Sequence, residues 1–371
     1  MSISTPTSSH GPSHCTDWVQ SLQILIFATT VRALSWALAR KPLVRQLRPV
    51  NSTPSALMDA LELLSNARGY GWDWSREVHI PRETRPSNRI GFIFYTILSV
   101  AAHAIAFGIL NTSIRSFSLA SLGTQSSGVI LDETHPLLHR AIRIGFPSLG
   151  DISRGSIFDE SLPFCSRYLR SSVISILAFV WNYAGIQTCY DSCTIVGVLI
   201  LGQDPAQWPP LFDAPWRATS LTDFWGRRWH QLLRRTFLVL GGHPLSFILG
   251  RTGIVVGAFF ASAAFHHVEL TALSNNNSEF WRMLVGFGMM APVIIIEGVF
   301  KHVTGRKVRG FTGWVWTMGW MLLWGNVMVD GFMRAGMLGF PTLMDLVYPV
   351  RVFVEYLVTA FDNLLHAIPT V

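Results

Sequence analysis

The residues able to do chemistry gather between Trp208 and Glu269. That stretch reads WPPLFDAPWRATSLTDFWGRRWHQLLRRTF and, after a short apolar interval, GRTGIVVGAFFASAAFHHVE. His266 sits near the end of the apolar run, where an ionisable side chain is costly unless it has a role or a partner. An imidazole titrates near neutral pH, so it can take up a proton and return it. Ser262 precedes it by four residues on the same helical face, placed to orient the ring. The bland alternative is a packing histidine bonded to a backbone carbonyl. His267 and His103 are the competing imidazoles, although His267 shares a face with Gly253 and Ala263 and reads mainly as a helix-contact residue. Upstream, Arg227, Arg228, Arg234 and Arg235 bring guanidinium groups, whose planar donor forks suit anions. Metal chemistry is not indicated. Cys15, Cys165, Cys189 and Cys193 form no CxxC pair, and no Asp-rich motif is present. The single His266-His267 pair is too little for the histidine clusters of a diiron hydroxylase or desaturase.

Two elements must position these groups. Ser220 followed by Asp223 resembles a capping box, after a loop broken by prolines, and predicts a helix from about Thr222. At 100° per residue, Trp225, Trp229, Leu232 and Thr236 fall on one stripe and Arg227, His230, Gln231 and Arg234 on the opposite one. That pattern predicts an amphipathic helix lying in the membrane plane, its tryptophans toward acyl chains and its cations toward water and anions. The second element is an apolar helix with small residues at Gly253, Gly257 and Ala261, a spacing that lets a neighbouring helix approach closely.

The surrounding chain sets the class. Of its 371 residues, 50% are hydrophobic and 14% are charged, against about 25% charged in soluble domains. A hydrocarbon core about 30 Å thick needs about 20 apolar residues. The clearest such runs are 91 to 110, 281 to 300 and 312 to 330; weaker ones are 18 to 38, 173 to 201, 252 to 269 and 346 to 360. The expectation is an all-α, polytopic transmembrane helical bundle of about six to eight spans. Residues 1–17 form a polar N-terminal tail and 18–371 a single membrane-embedded domain whose signature region is 208–269. The first run lacks a basic leader and a cleavage site and reads as a retained anchor. The net charge of +7 is what cytoplasmic loops rich in Lys and Arg produce, so nucleic acid need not be invoked. Arg32 to Arg48, Arg217 to Arg235 and Lys301 to Arg309 then share the cytoplasmic face, and the Asn276-Asn277-Ser278 sequon falls on the other. No internal repeat of the transporter kind is seen.

Pro210-Leu211-Phe212, followed by Ser220 to Arg234 as S-L-x-D-F-W-G-R-R-W-H and x-x-L-R, resembles the wax-synthase-like branch of the membrane-bound O-acyltransferase superfamily. That branch carries its catalytic histidine some 35 residues further on, in a motif like F-x-x-S-G-x-x-H-E. Here Phe259 to His267 matches at Ser262 and His266, while Ala263 replaces the glycine and His267 the glutamate. Arg68-Gly-Tyr-Gly-Trp-Asp-Trp74 resembles an element of fungal members, many of which acetylate hydroxylated terpenoids.

The resemblance implies acyl transfer from a CoA thioester to an alcohol, with His266 as the base. His230 stands where related sterol and diacylglycerol acyltransferases carry an asparagine, and would donate to the oxyanion. Arg227, Arg228 and Arg234, with Trp225 and Trp229, would hold acyl-CoA; Arg228 and Arg235 have phospholipid headgroups as the competing partner. Acetyl-CoA is the implied co-substrate, with no permanently bound cofactor. A hydrophobic terpenoid or meroterpenoid alcohol is the implied acceptor, and the endoplasmic reticulum the implied membrane. Long-chain wax-ester synthesis is the alternative within the family. A transporter, with Asp191, His266 and Glu297 as a polar path, is the alternative outside it.

Overall fold

The structure, a computed structural model, describes residues 26, 29–37, 41–48, 55–66, 68–75, 78–121, 156–274, 279–338 and 342–368. The polar tail, most of the first apolar run and the Asn276 sequon lie outside them. The helices in chain order are α1 (Ala56–Ser65), α2 (Arg89–Ser121), α3 (Phe164–Leu199), the single turn α4 (Leu221–Asp223), α5 (Arg234–Phe237), α6 (His243–Ser274), α7 (Phe280–Gly288), α8 (Met290–Thr304), α9 (Gly310–Arg334) and α10 (Tyr348–His366). No strand occurs among the described residues, where one antiparallel bridge pairs Arg45 with Trp72.

Four segments are long and apolar enough to cross a membrane: Arg89–Phe117, Phe164–Leu199, Arg234–Thr271 and Phe280–Thr304. The expected six to eight spans are therefore not reached among the described residues. The run at 312 to 330 does form a helix, but its inner face is polar. Thr317, Asn326 and Asp330 are all buried, and Asp330 ties three elements together. Its carboxylate accepts from Arg282 Nε and Arg334 Nε at 2.8 Å each, from Ser156 Oγ at 2.8 Å and from the Ile157 amide at 2.9 Å. The run at 346 to 360 becomes the amphipathic α10, which buries Val354 and Val358 against α2 and α3. A buried ion pair fixes that packing: Arg170 on α3 meets Asp362 on α10 at 3.0 Å and also donates to the Phe117 carbonyl at 2.8 Å.

The long segment from Arg234 to Thr271 is a hairpin rather than one straight span. At Gly250 the backbone turns to φ 58 and ψ −137, a region that side-chain-bearing residues avoid. Residues 234–249 then lie antiparallel against 251–274. A Cβ on Gly241 would overlap the Gly257 carbonyl, and one on Gly253 would overlap Leu245 O. The small-residue stripe predicted for close helix approach is thus used, and its partner is the preceding stretch of the same chain. Farther from the reversal, Phe237 and Phe265 meet at 5.7 Å.

The hairpin fixes the depth of the remaining elements. Phe287 on α7 lies beside His266, and Glu297 on α8 beside Leu221. Trp314 donates to Trp216 O at 2.9 Å, and the Cα of Gly313 abuts Thr219 O. The loops bearing Arg217 and Lys301 to Arg309 therefore occupy one end of the bundle, whereas Arg234 and Arg235, also expected on that face, lie toward the other limb of the hairpin beside Phe265.

Candidate active site

The chain enters the site through a capped turn. Ser220 is extended, and its hydroxyl accepts from the Asp223 amide at 3.0 Å, as the capping pattern predicts. The neighbouring amides of Leu221 and Thr222 donate to the Glu297 carboxylate at 2.7 and 2.9 Å, and the Thr222 hydroxyl donates to it at 2.6 Å. Three N–H groups that a helix start leaves open are thus satisfied, one of them from 76 residues away. Glu297 is a pin between a membrane helix and the signature turn.

The predicted amphipathic helix does not continue past Arg228. A π-turn spans Phe224–Arg228, and Trp229 is extended at φ −75 and ψ 152. Regular helix resumes only at Arg234. Side chains supply the reason. Gln231 donates to the carbonyls of Trp225 and Trp229 at 3.1 and 2.8 Å, covering acceptors that the break exposes. The Arg228 guanidinium bonds to the Asp223 carboxylate and donates to Asp213 O at 2.9 Å, stapling the turn to the Leu211–Asp213 loop. Trp229 packs among Phe179 at 4.8 Å, Phe212 at 5.0 Å and Phe224 at 5.8 Å. The tryptophan stripe accordingly faces protein, and the segment descends from the level of Glu297 to that of His266 instead of lying on the membrane surface.

Arg68 holds the same loop from the other side. Buried, it donates to Pro209 O at 2.7 Å, Pro210 O at 2.8 Å and the Tyr190 hydroxyl at 2.7 Å. Its neighbour Gly69 is required twice over: φ is 65, and a Cβ there would overlap the Trp74 ring. Trp74 in turn lies under the Arg235 guanidinium at 4.6 Å. Of the cations proposed for an anionic ligand, Arg227 is exposed, with Asp223 at 3.9 Å. Arg234 is half-buried and has no ion-pair partner among the described residues. Arg228 is committed to the loop.

The two expected imidazoles share one site. His230 is edge-on to Phe212 at 5.8 Å, and its Nδ1 is buried without a hydrogen-bond partner. Burial above all, then the nearby His266 and Arg68, pushes its pKa down to about 3, so the ring is neutral at physiological pH. His266 is stacked on Phe287 with centroids 4.5 Å apart and planes 4° apart, and Phe265 and Phe332 meet it edge-on at 5.4 and 5.9 Å. Its Nδ1 lies 2.9 Å from a Glu269 carboxylate oxygen. Trp225 joins the halves, 5.7 Å from Phe259 and 6.5 Å from Phe287.

The competing groups lie elsewhere. His267 turns to Phe280 at 5.0 Å, and His103 bonds to the Ser99 carbonyl at 2.8 Å between α2 and α3. Asp191 accepts from Ser99 and Gln187 at 2.7 and 2.9 Å. With Glu297 used as a cap, the polar path a transporter would need is broken up into separate structural bonds.

Residues 208–288 match the membrane bound O-acyl transferase family. That interval contains His230, His266, Glu269 and Phe287, whereas Arg68 and Glu297 support it from outside. The chain is similar to the O-mevalon transferase yanI of Aspergillus niger, 30% identical over 181 residues that cover 47% of this chain and 34% of the relative. It is similar to the acetyltransferase sirH of Emericella nidulans, 23% identical over 279 residues, covering 71% and 56%. A long-chain-alcohol O-fatty-acyltransferase of Simmondsia chinensis is 28% identical over 145 residues, covering 37% and 40%. The alignments thus span between about a third and just over half the length of these relatives. No solved structure matches.

Sequence reasoning pointed to His230 and His266 and missed the residues that hold them. Glu269 was visible three residues beyond His266 and lacked only a reason to face it. Glu297 and Arg68 act across the chain, where spacing carries no signal.

Proposed function

We propose that this membrane protein transfers an acyl group from a CoA thioester to the hydroxyl of a hydrophobic acceptor, acetyl to a terpenoid or meroterpenoid being the favoured pair. The reading places it in the endoplasmic reticulum, where acyl-CoA is supplied from the cytosol. The observation that carries it is His266, stacked on Phe287 and bonded to Glu269 inside the family-matching segment that also holds the buried His230. The acetyltransferase relatives support acetyl, and the long-chain relative supports a wax ester as the second reading.

The chemistry balances on residues present. His266 Nε2 takes the hydroxyl proton as the alcohol oxygen attacks the thioester carbonyl. The tetrahedral oxyanion collapses, the C–S bond breaks, and the leaving CoA thiolate receives the proton from the imidazolium. No acyl-enzyme forms. His230, uncharged at working pH, donates its N–H to the oxyanion. Arg227 and Arg234, free of strong internal bonds, are the cations offered to CoA phosphates, with Trp225 beside the reactive end and Trp229 packed into the aromatic core behind it.

The test is purified protein given acetyl-, octanoyl- and palmitoyl-CoA with hydroxylated terpenoid and long-chain alcohols, read by mass spectrometry. Gain of one acetyl group on a terpenoid supports the first reading, and a palmitoyl ester of a fatty alcohol supports the second. CoA release in neither setting would remove both. Within an active assay, His230→Ala is expected to lower kcat roughly 10²-fold, the scale of one lost oxyanion donor. His230→Asn, which restores an N–H, should recover a large part of it.

A further inference from the structure

We infer that Glu269 is the positioning residue that makes His266 a base at Nε2, an inference that rests on the acyl-transfer reading. The stack on Phe287 and the edges of Phe265 and Phe332 fix the plane of the imidazole. They do not decide which nitrogen points where, because a ring turned over by 180° presents the same faces to the same neighbours. The Glu269 carboxylate makes that choice. A carboxylate only accepts, so at 2.9 Å from Nδ1 it holds the proton on that atom and leaves the lone pair on Nε2.

The spacing is what a helix requires: three residues apart, both groups lie on one face, with Glu269 one turn nearer the end of α6. Both side chains are largely shielded, at 24% and 15% exposure, so the bond is less screened than a surface pair. Ser262, the residue expected to orient the ring, is buried and makes no hydrogen bond to His266 among the described residues. The family-like motif places a glutamate directly after the histidine, and this chain has His267 there. Adjacent residues on a helix point about 100° apart, whereas Glu269 reaches the ring. During turnover the carboxylate also balances the charge of the imidazolium, favouring proton removal from the alcohol.

The experiment compares Glu269→Leu, Glu269→Asp and Ser262→Ala in the acyl-transfer assay, with ¹⁵N-histidine NMR of the protein in nanodiscs and His266→Ala to assign the signal. Glu269→Leu is expected to lower kcat about 10²-fold with KM for acyl-CoA within about twofold, Glu269→Asp to regain most of the loss, and Ser262→Ala to stay within about threefold. The His266 signal should report an Nδ1–H tautomer in the wild type and lose it in Glu269→Leu. Retained kcat in Glu269→Leu, or an unchanged tautomer, overturns the assignment. The NMR arm stands even if the wild type transfers no acyl group, which would sink the functional reading instead.

Discussion

His266→Ala should lower kcat for acyl transfer by roughly 10²–10⁴-fold, the range a general base supplies, while acyl-CoA binding survives. The alcohol loses its proton acceptor, and no neighbour takes over. His230 is held neutral but its pKa of about 3 makes it too weak a base, and His267 is turned to Phe280. Removing the ring also removes its stack on Phe287, so melting temperature and gel-filtration profile should be measured beside the kinetics. A folded, inactive His266→Ala with His267→Ala near wild type is the expected pattern. The reverse pattern would transfer the base to His267. The double variant His230→Ala/His266→Ala should be little worse than His266→Ala alone, since an oxyanion donor has little to stabilise when attack does not occur.

Gly257→Ala should be among the most destabilising single-methyl changes available in the chain. The added carbon would overlap the backbone carbonyl of Gly241 across the hairpin, and a backbone on each side leaves no side chain to swing away. Overpacking of this kind costs roughly 1–3 kcal/mol or more. Because His266 lies on the same limb, parting the hairpin also shifts it relative to Phe287 and His230, so activity should fall with stability. Gly298→Ala is the control: nothing lies within 4 Å of its would-be Cβ, and replacing a mid-helix glycine gains roughly 0.5–1 kcal/mol. Thermal unfolding in detergent reads both. Equal melting temperatures for the two variants would mean that the limbs are not tightly apposed.

Much of the site was legible because it is local. The Ser220 cap, the glycine stripe and the intramembrane imidazole each follow from spacing within one turn or two. The helix after Thr222 was misread because the stripe of Trp225 and Trp229 continues in register through Arg228, and periodicity cannot show that Gln231 will satisfy the carbonyls of a broken turn. The hairpin was missed for a different reason. Residues 234–249 are too few for a span and join directly to the predicted amphipathic helix, while Gly250 falls at the edge of the next apolar run. The run at 312 to 330 shows how a membrane-length helix rich in Trp and Gly can carry a polar inner face, with Thr317, Asn326 and Asp330 buried.

The non-helical link between Trp229 and Arg234 is buried at Trp229 and Gln231 and leads into the limb whose Phe237 meets Phe265, next to His266. Irregular backbone is tolerated at such depth where protein or water answers its polar groups, and here the Gln231 amide answers the carbonyls of Trp225 and Trp229. If the acyl-transfer reading holds, water reaching this link would compete with the alcohol, since an activated thioester held there can be lost to hydrolysis. Selectivity for the alcohol would then come from a bulky, greasy acceptor that keeps solvent out as it seats.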